Sequence, residues 1–251
     1  MHFLCVFSNS LWKIDALNYN NYTIILFNNI GDKSCGNALP PLAQKCIESW
    51  KKHCPDYEII EWNETNFDIA QNQYCKDAIA NKKWAFVSDF MRLKVLYEHG
   101  GIYMDTDVEV IKPLDDFLKY DAFTSFEDDK HIPTGLLAAK QQHEWIRYLL
   151  SYYDNAKFIN DDGSFNLTTN VKTITDMSAK MYPDFKFNNQ TQIFNNIAIF
   201  SNDYFSPVDY QTSRLYKTKN THAIHSFAAS WLPKRTFKQK VKKKIKKILG
   251  K

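Results

Sequence analysis

The chain has 251 residues, 44% hydrophobic, 24% charged and 15% aromatic, enough for one large domain with an ordinary core. Seven Gly and eight Pro exclude collagen-like and long disordered chains. No stretch reaches the ~18 consecutive apolar residues of a membrane-spanning helix. The net charge of +4 hides an asymmetry: residues 234–251 hold ten of the 32 Lys+Arg and none of the 28 Asp+Glu, so the first 233 residues carry −6 and the tail +10. In chain order, Tyr22 to Phe27 is a short run of β-formers and reads as a strand. Gly31 to Pro41 reads as a loop. Leu42, Cys46, Ile47 and Trp50 follow helical spacing, and that helix ends between His53 and Asp56. Tyr57 to Trp62 is a second strand. Asn81 to Glu98 is a long helix closed by His99-Gly100-Gly101, and Ile102 to Ile111 is a third strand stopped by Pro113. This alternation predicts an α/β sheet with its site at the strand C-termini. A further helix is expected near Glu144 to Tyr153, and short strands and loops over 195–232.

The cysteines, Cys5, Cys35, Cys46, Cys54 and Cys75, are odd in number and contain no C-x-x-C pair. They read as reduced thiols of a cytosolic protein. The first residues, MHFLCVFSNSLW, have no basic segment and only a short apolar patch, so a cytoplasmic location is expected.

Asp105-Thr106-Asp107 is the centre of the chemistry. Within a strand alternate side chains share a face, so Asp105, Asp107 and Glu109 are expected to point one way. Two carboxylates about 6.6 Å apart along such a strand can converge on one divalent cation. An exposed edge strand or turn is the other reading of a lone D-x-D. The apolar approach Ile102-Tyr103-Met104 favours an internal strand, whose bare carboxylates call for a cation. Hard oxygen ligands suit Mg²⁺ or Mn²⁺, ions that commonly complete their shells with phosphate oxygens. On the preceding helix Asp89 and Arg92 share a face. By spacing alone they fit an ion pair at the helix surface; buried beside a metal strand, Asp89 would take hydroxyl protons and Arg92 face an anion. In THAIHSFAASWL (221–232), His222 and His225 are either incidental to a packed strand or supply one imidazole as a third metal ligand. There the Ser230 hydroxyl and the Trp231 indole can donate to phosphate.

Three runs carry a resemblance: KCIESWKKHCPDYEIIEWNETNFD (45–68), KKWAFVSDFMRLKVLYEHGGIYMDTDVEVIKPLDDFL (82–118) and HAIHSFAASW (222–231). In this order they resemble glycosyltransferase family 32, the D-x-D sugar transferases that include capsular-polysaccharide enzymes. That family is distantly similar to the glucosyltransferase domains of large clostridial toxins. The resemblance implies a GT-A-like fold over residues 1–233 and a nucleotide-sugar donor, usually a UDP-sugar. It also implies a Mn²⁺ or Mg²⁺ ion and transfer with retention to a glycan or lipid-linked acceptor. By position, Asp105 and Asp107 match the pair that holds the metal and diphosphate. Asp89 matches a residue on donor hydroxyls, Arg92 one near the sugar and phosphate, and Tyr103 an aromatic near the nucleoside. His225, Ser230 and Trp231 match elements that close over the diphosphate. The chain departs from the family pattern in NYNNYTIILFNNIGDKSCGN, which lacks the usual His and Trp, and near Thr168-Thr169-Asn170, which lacks a Gly-Pro element. A non-catalytic sugar-nucleotide-binding scaffold, or another metal-dependent phosphate enzyme, is the competing class.

In the tail, Phe237, Val241, Ile245, Ile248 and Leu249 form a helical stripe with lysines on the remaining face. Such a helix can lie on an anionic membrane surface, giving a peripheral location on its inner face; a disordered solubilising tail or a nucleic-acid arm are the alternatives. The acidic body supplies no basic groove, so no nucleic-acid partner is expected.

Overall fold

In the computed structural model, residues 23–27 and 39–228 are described. The elements in order are β1 (Thr23–Phe27), α1 (Pro41–His53), β2 (Glu58–Trp62), α2 (Gln73–Ala80), α3 (Trp84–His99), β3 (Gly101–Met104) and β4 (Val108–Val110). Then come β5 (Ala122–Ser125), β6 (Leu136–Ala139), α4 (Glu144–Leu150), α5 (Tyr152–Asn155), α6 (Asn170–Met181), β7 (Gln192–Phe194) and β8 (Ile197–Phe200). Short strands β9 (Val208–Asp209), β10 (Arg214–Leu215) and β11 (Ala223–His225) follow. The fold is α/β, with a mixed seven-stranded sheet of order β2-β1-β3-β6-β5-β8-β7. Strands β2, β1, β3, β5 and β8 run one way, and β6 and β7 run against them.

The pleat sorts the core into two layers. Ile25, Tyr103, Leu137, Ala139, Ile197 and Ile199 face one cluster, filled by α2, α3, α4 and α6. Their neighbours Ile24, Ile102, Met104, Leu136, Ala138 and Ala198 face the other, which holds Cys46 and Trp50 of α1 and Val108 of β4. With both faces covered, the central strands show no polar alternation.

The helices start and stop where local chemistry permits. Pro41 opens α1, where a missing N–H costs nothing. Asn72 caps α2 by accepting the Cys75 N–H at 2.8 Å, and Thr169 caps α6 by accepting that of Lys172 at 3.4 Å. The helix expected from Asn81 begins only at Trp84, because Asn81 ends α2 and Lys82 turns the chain at φ +57°. Gly100 at φ +69° stops α3; a Cβ there would stand 2.6 Å from the Gln141 nitrogen.

One strand divides in two. Ile102 to Ile111 is broken at Asp105-Thr106-Asp107, and β4 leaves the large sheet to pair with β11. Trp50 pins this departure: it is fully buried and its indole N–H donates to the Val108 carbonyl at 2.7 Å. Trp50→Phe is expected to cost about 1–3 kcal/mol by leaving that carbonyl without its donor. The urea midpoint measures the loss, and an unchanged midpoint would show the bond to be dispensable.

Candidate active site

The break in the strand builds the site. The Asp105 N–H donates to the Gly135 carbonyl at 2.8 Å, and the Asp105 carbonyl then accepts the Val108 N–H at 2.9 Å. Residues 105–108 therefore form a turn, a conformation Asp favours. It is the turn, not strand pleating, that brings the two carboxylates together. Glu109, expected on their face, instead pairs with Lys45 at 2.6 Å.

The register of β11 supplies the third group. His225 lies opposite Val108 in that pair, and the chain then folds onto Asp107. The Ser226 N–H donates to the Asp107 carbonyl at 3.0 Å, and the Ala228 N–H to Asp107 Oδ2 at 2.7 Å. His225 Nε2 comes within 3.4 Å of Asp107 Oδ1 and 3.8 Å of Asp105 Oδ2. Asp105, Asp107 and His225 each offer one ligand atom, all within 4.8 Å of one another. Two carboxylate oxygens and one imidazole nitrogen suit Mn²⁺, or Mg²⁺ with more of its shell completed by phosphate. Burial alone would raise the Asp107 carboxyl; the hydrogen bond and charge of His225, with the Ala228 N–H, outweigh it and hold it below its usual range. Burial alone would lower His225, but Asp107, then Asp105 and Glu127, raise it instead. His222 stays outside the cluster, its Nδ1–H donating to the Pro113 carbonyl at 2.7 Å.

Asp89 and Arg92 are not an ion pair at the helix surface. Their side chains are 16% and 7% exposed, because α3 is buried on most sides. Arg92 Nη2 meets Asp89 Oδ1 at 2.9 Å, while Nη1 reaches Asp105 Oδ1 at 3.2 Å and the Thr134 carbonyl at 3.0 Å. One guanidinium thus ties the helix pair to the carboxylate turn. Burial pushes the Asp89 carboxyl up to about 6; Arg92 pulls against it, Asp105 reinforces it, and the Asn170 amides pull it down. Tyr103 is buried, its hydroxyl donating to Asp105 Oδ1 and its ring 4.6 Å from the Arg92 guanidinium carbon. That hydroxyl bond orients the Asp105 carboxylate. Ser230 and Trp231, Cys5 and Cys35, and the tail 234–251 lie outside the described residues. Cys46, Cys54 and Cys75 are free thiols, all buried.

The sequence reading missed Asn170. As the first residue of α6 it is 4% exposed, its Nδ2 donates to the Asp89 carbonyl at 3.3 Å, and its Oδ1 is buried without a partner among the described residues. The Thr168-Thr169-Asn170 run, a cap signature ahead of a helix, was the available signal.

Comparison with known proteins gives the following likenesses. Residues 40–124 match the family described as "Glycosyltransferase sugar-binding region containing DXD motif". An uncharacterized glycosyltransferase of Acanthamoeba polyphaga mimivirus is 26% identical over 158 residues, 61% of this chain and 59% of that protein. The "Subversion of eukaryotic traffic protein A" of Legionella pneumophila is 25% identical over 129 residues, 41% of this chain but 18% of that protein. The chain therefore spans less than two thirds of either relative. Mouse xyloside xylosyltransferase 1 superposes with a TM-score of 0.47 at 8% identity, over 85% of this chain and 100% of that one. Residues 40–124, which contain Asp89, Arg92, Tyr103, Asp105 and Asp107, are thus similar to the DXD-containing sugar-binding region of glycosyltransferases.

Proposed function

We propose that this protein is a metal-dependent glycosyltransferase taking its sugar from a nucleotide-sugar donor, a UDP-sugar by the family-32 resemblance, with retention at the anomeric carbon. The observation that carries the reading is the convergence of Asp105, Asp107 and His225 beside the buried Asp89–Arg92 pair. Asp105, Asp107 and His225 would hold a divalent cation, whose positive charge would stabilise a departing diphosphate. The remaining roles belong to the chain. Arg92 and Tyr103 occupy Oδ1 of Asp105, which leaves Oδ2 turned toward His225. The Ala228 N–H occupies Oδ2 of Asp107 in the same way, leaving Oδ1 for the centre. Asp89, whose main-chain carbonyl accepts from Asn170, takes hydroxyl protons of the donor in this reading. Such preorganised groups favour the transition state because they need no rearrangement as charge develops.

The acceptor in this reading is a glycan or lipid-linked saccharide of surface-polysaccharide synthesis. The basic stripe of residues 234–251 would hold the enzyme to an anionic membrane, a reading supported by composition alone. No helix among the described residues is long and apolar enough to cross a membrane.

The donor side is tested by nucleoside diphosphate release, UDP from UDP-sugars and GDP from GDP-sugars, over a panel of both with Mn²⁺ and no added acceptor. Slow release from one donor is expected, abolished by EDTA and restored by excess Mn²⁺. Absence of release with every donor and every divalent cation would refute the reading.

A further inference from the structure

The imidazole of His225 meets Asp107 through Nε2, but its other nitrogen has no hydrogen-bonded anchor among the described residues. Its Nδ1 is buried without a partner among the described residues, although a metal-binding histidine commonly donates that proton to a second group. What holds the ring on its Nδ1 side and face is packing. Phe227 lies on it with ring centroids 4.1 Å apart. On the Nδ1 side it abuts Gly135, where a Cβ would stand 2.7 Å from both Nδ1 and Cε1 and 3.1 Å from Cγ. Real side chains do not approach that closely, so any residue but glycine must move the ring.

We infer that Gly135 is a positioning residue of the carboxylate–histidine centre, its missing side chain forming the slot that aims His225 Nε2 at Asp105 and Asp107. The ring places its Cδ2–Nε2 bond opposite Nδ1, so pressing the Nδ1 side on Gly135 turns Nε2 toward the carboxylates. The main chain here does a second job. The Gly135 carbonyl accepts the Asp105 N–H at 2.8 Å, and the Thr134 carbonyl accepts Arg92 Nη1 at 3.0 Å. Residues 134 and 135 thus fix the arginine, the first carboxylate and the imidazole together. Backbone conformation is not the reason for glycine, since Gly135 is not among the positive-φ residues. Alanine would therefore act through His225 and not through strain.

The inference rests on the cation reading of the site, and two measurements keep them apart. The first is Mn²⁺ affinity by electron paramagnetic resonance in wild type, Gly135→Ala, His225→Ala and the double variant, each checked for native circular dichroism. The two single variants are expected to bind Mn²⁺ roughly tenfold or more weakly, and the double variant no worse than His225→Ala. The second is the ¹³Cε1–¹H spectrum of labelled histidine in metal-free protein. Of the seven histidine signals, the one lost in His225→Ala should be the one that moves in Gly135→Ala. An unmoved His225 signal, or losses that add in full in the double variant, would overturn the role of Gly135. Wild-type protein that takes up no Mn²⁺, with or without UDP, would instead overturn the cation reading. In that case a shifted signal would still support ring placement by Gly135.

Discussion

Asp105→Asn is expected to lower donor turnover roughly a hundredfold to a thousandfold while leaving the fold intact. The substitution keeps shape and one carbonyl oxygen. With that oxygen at the Oδ1 position, Tyr103 and Arg92 retain their acceptor. The new amide then occupies the Oδ2 position, 3.8 Å from His225 Nε2 in the native chain. An amide nitrogen offers hydrogens where a cation needs a lone pair, so the centre loses both a ligand and a charge. Scaffold and chemistry are thereby separated within one side chain. Donor hydrolysis under saturating Mn²⁺, read beside circular dichroism and a thermal melt, makes the measurement. Activity within a few-fold of wild type would remove Asp105 from the chemistry, and a collapsed melt would show that its negative charge serves the fold first.

The ease of reading that pair in the sequence conceals why it works. D-x-D was legible as two nearby carboxylates, and strand alternation gave a reason for them to converge. The structure replaces that reason: Asp105 closes a turn on Val108, and β4 swings away to meet β11. The spacing was right for a geometry that a strand does not supply. From the residues alone His225 was legible only as one of two histidines, and the family resemblance picked it out; what separates it from His222 physically is its position opposite Val108 across the β4–β11 pair.

Elsewhere legibility followed burial. Helix α1 has one covered side, so Cys46 and Trp50 showed its period. Strands β5, β6 and β8 are covered on both faces, and Leu136-Leu137-Ala138-Ala139 has the composition of a helix. Tertiary packing decides such segments, and no local pattern records it. Gly135 and Asn170 stayed hidden for a related reason. One acts by the absence of a side chain and the other by a contact 81 residues away in sequence, neither of which leaves a periodic trace.

Arg92 carries the largest stability consequence. Arg92→Met is expected to destabilise the fold by about 3–5 kcal/mol, because it leaves Asp89 buried without its counter-charge. The neutral side chain also abandons Asp105 Oδ1 and the Thr134 carbonyl, to which the guanidinium now donates. The deficit should depend on pH in a definite sense. Burial already raises the Asp89 carboxyl despite Arg92, so removing the arginine raises it further. A group whose folded pKa is raised contributes stability below its unfolded pKa and loses that contribution as pH rises through the folded one. The urea midpoint of Arg92→Met should therefore lie closer to wild type at pH about 5 than at pH about 8. Arg92→Lys separates charge from shape. The ammonium restores positive charge near Asp89 but cannot span Asp89, Asp105 and the Thr134 carbonyl as one planar fork. It should recover part of the stability and little of the turnover, since Asp105 loses its orientation. An Arg92→Met protein as stable as wild type at neutral pH would show that the guanidinium does not hold the site together. A fully active Arg92→Lys would show that charge alone suffices.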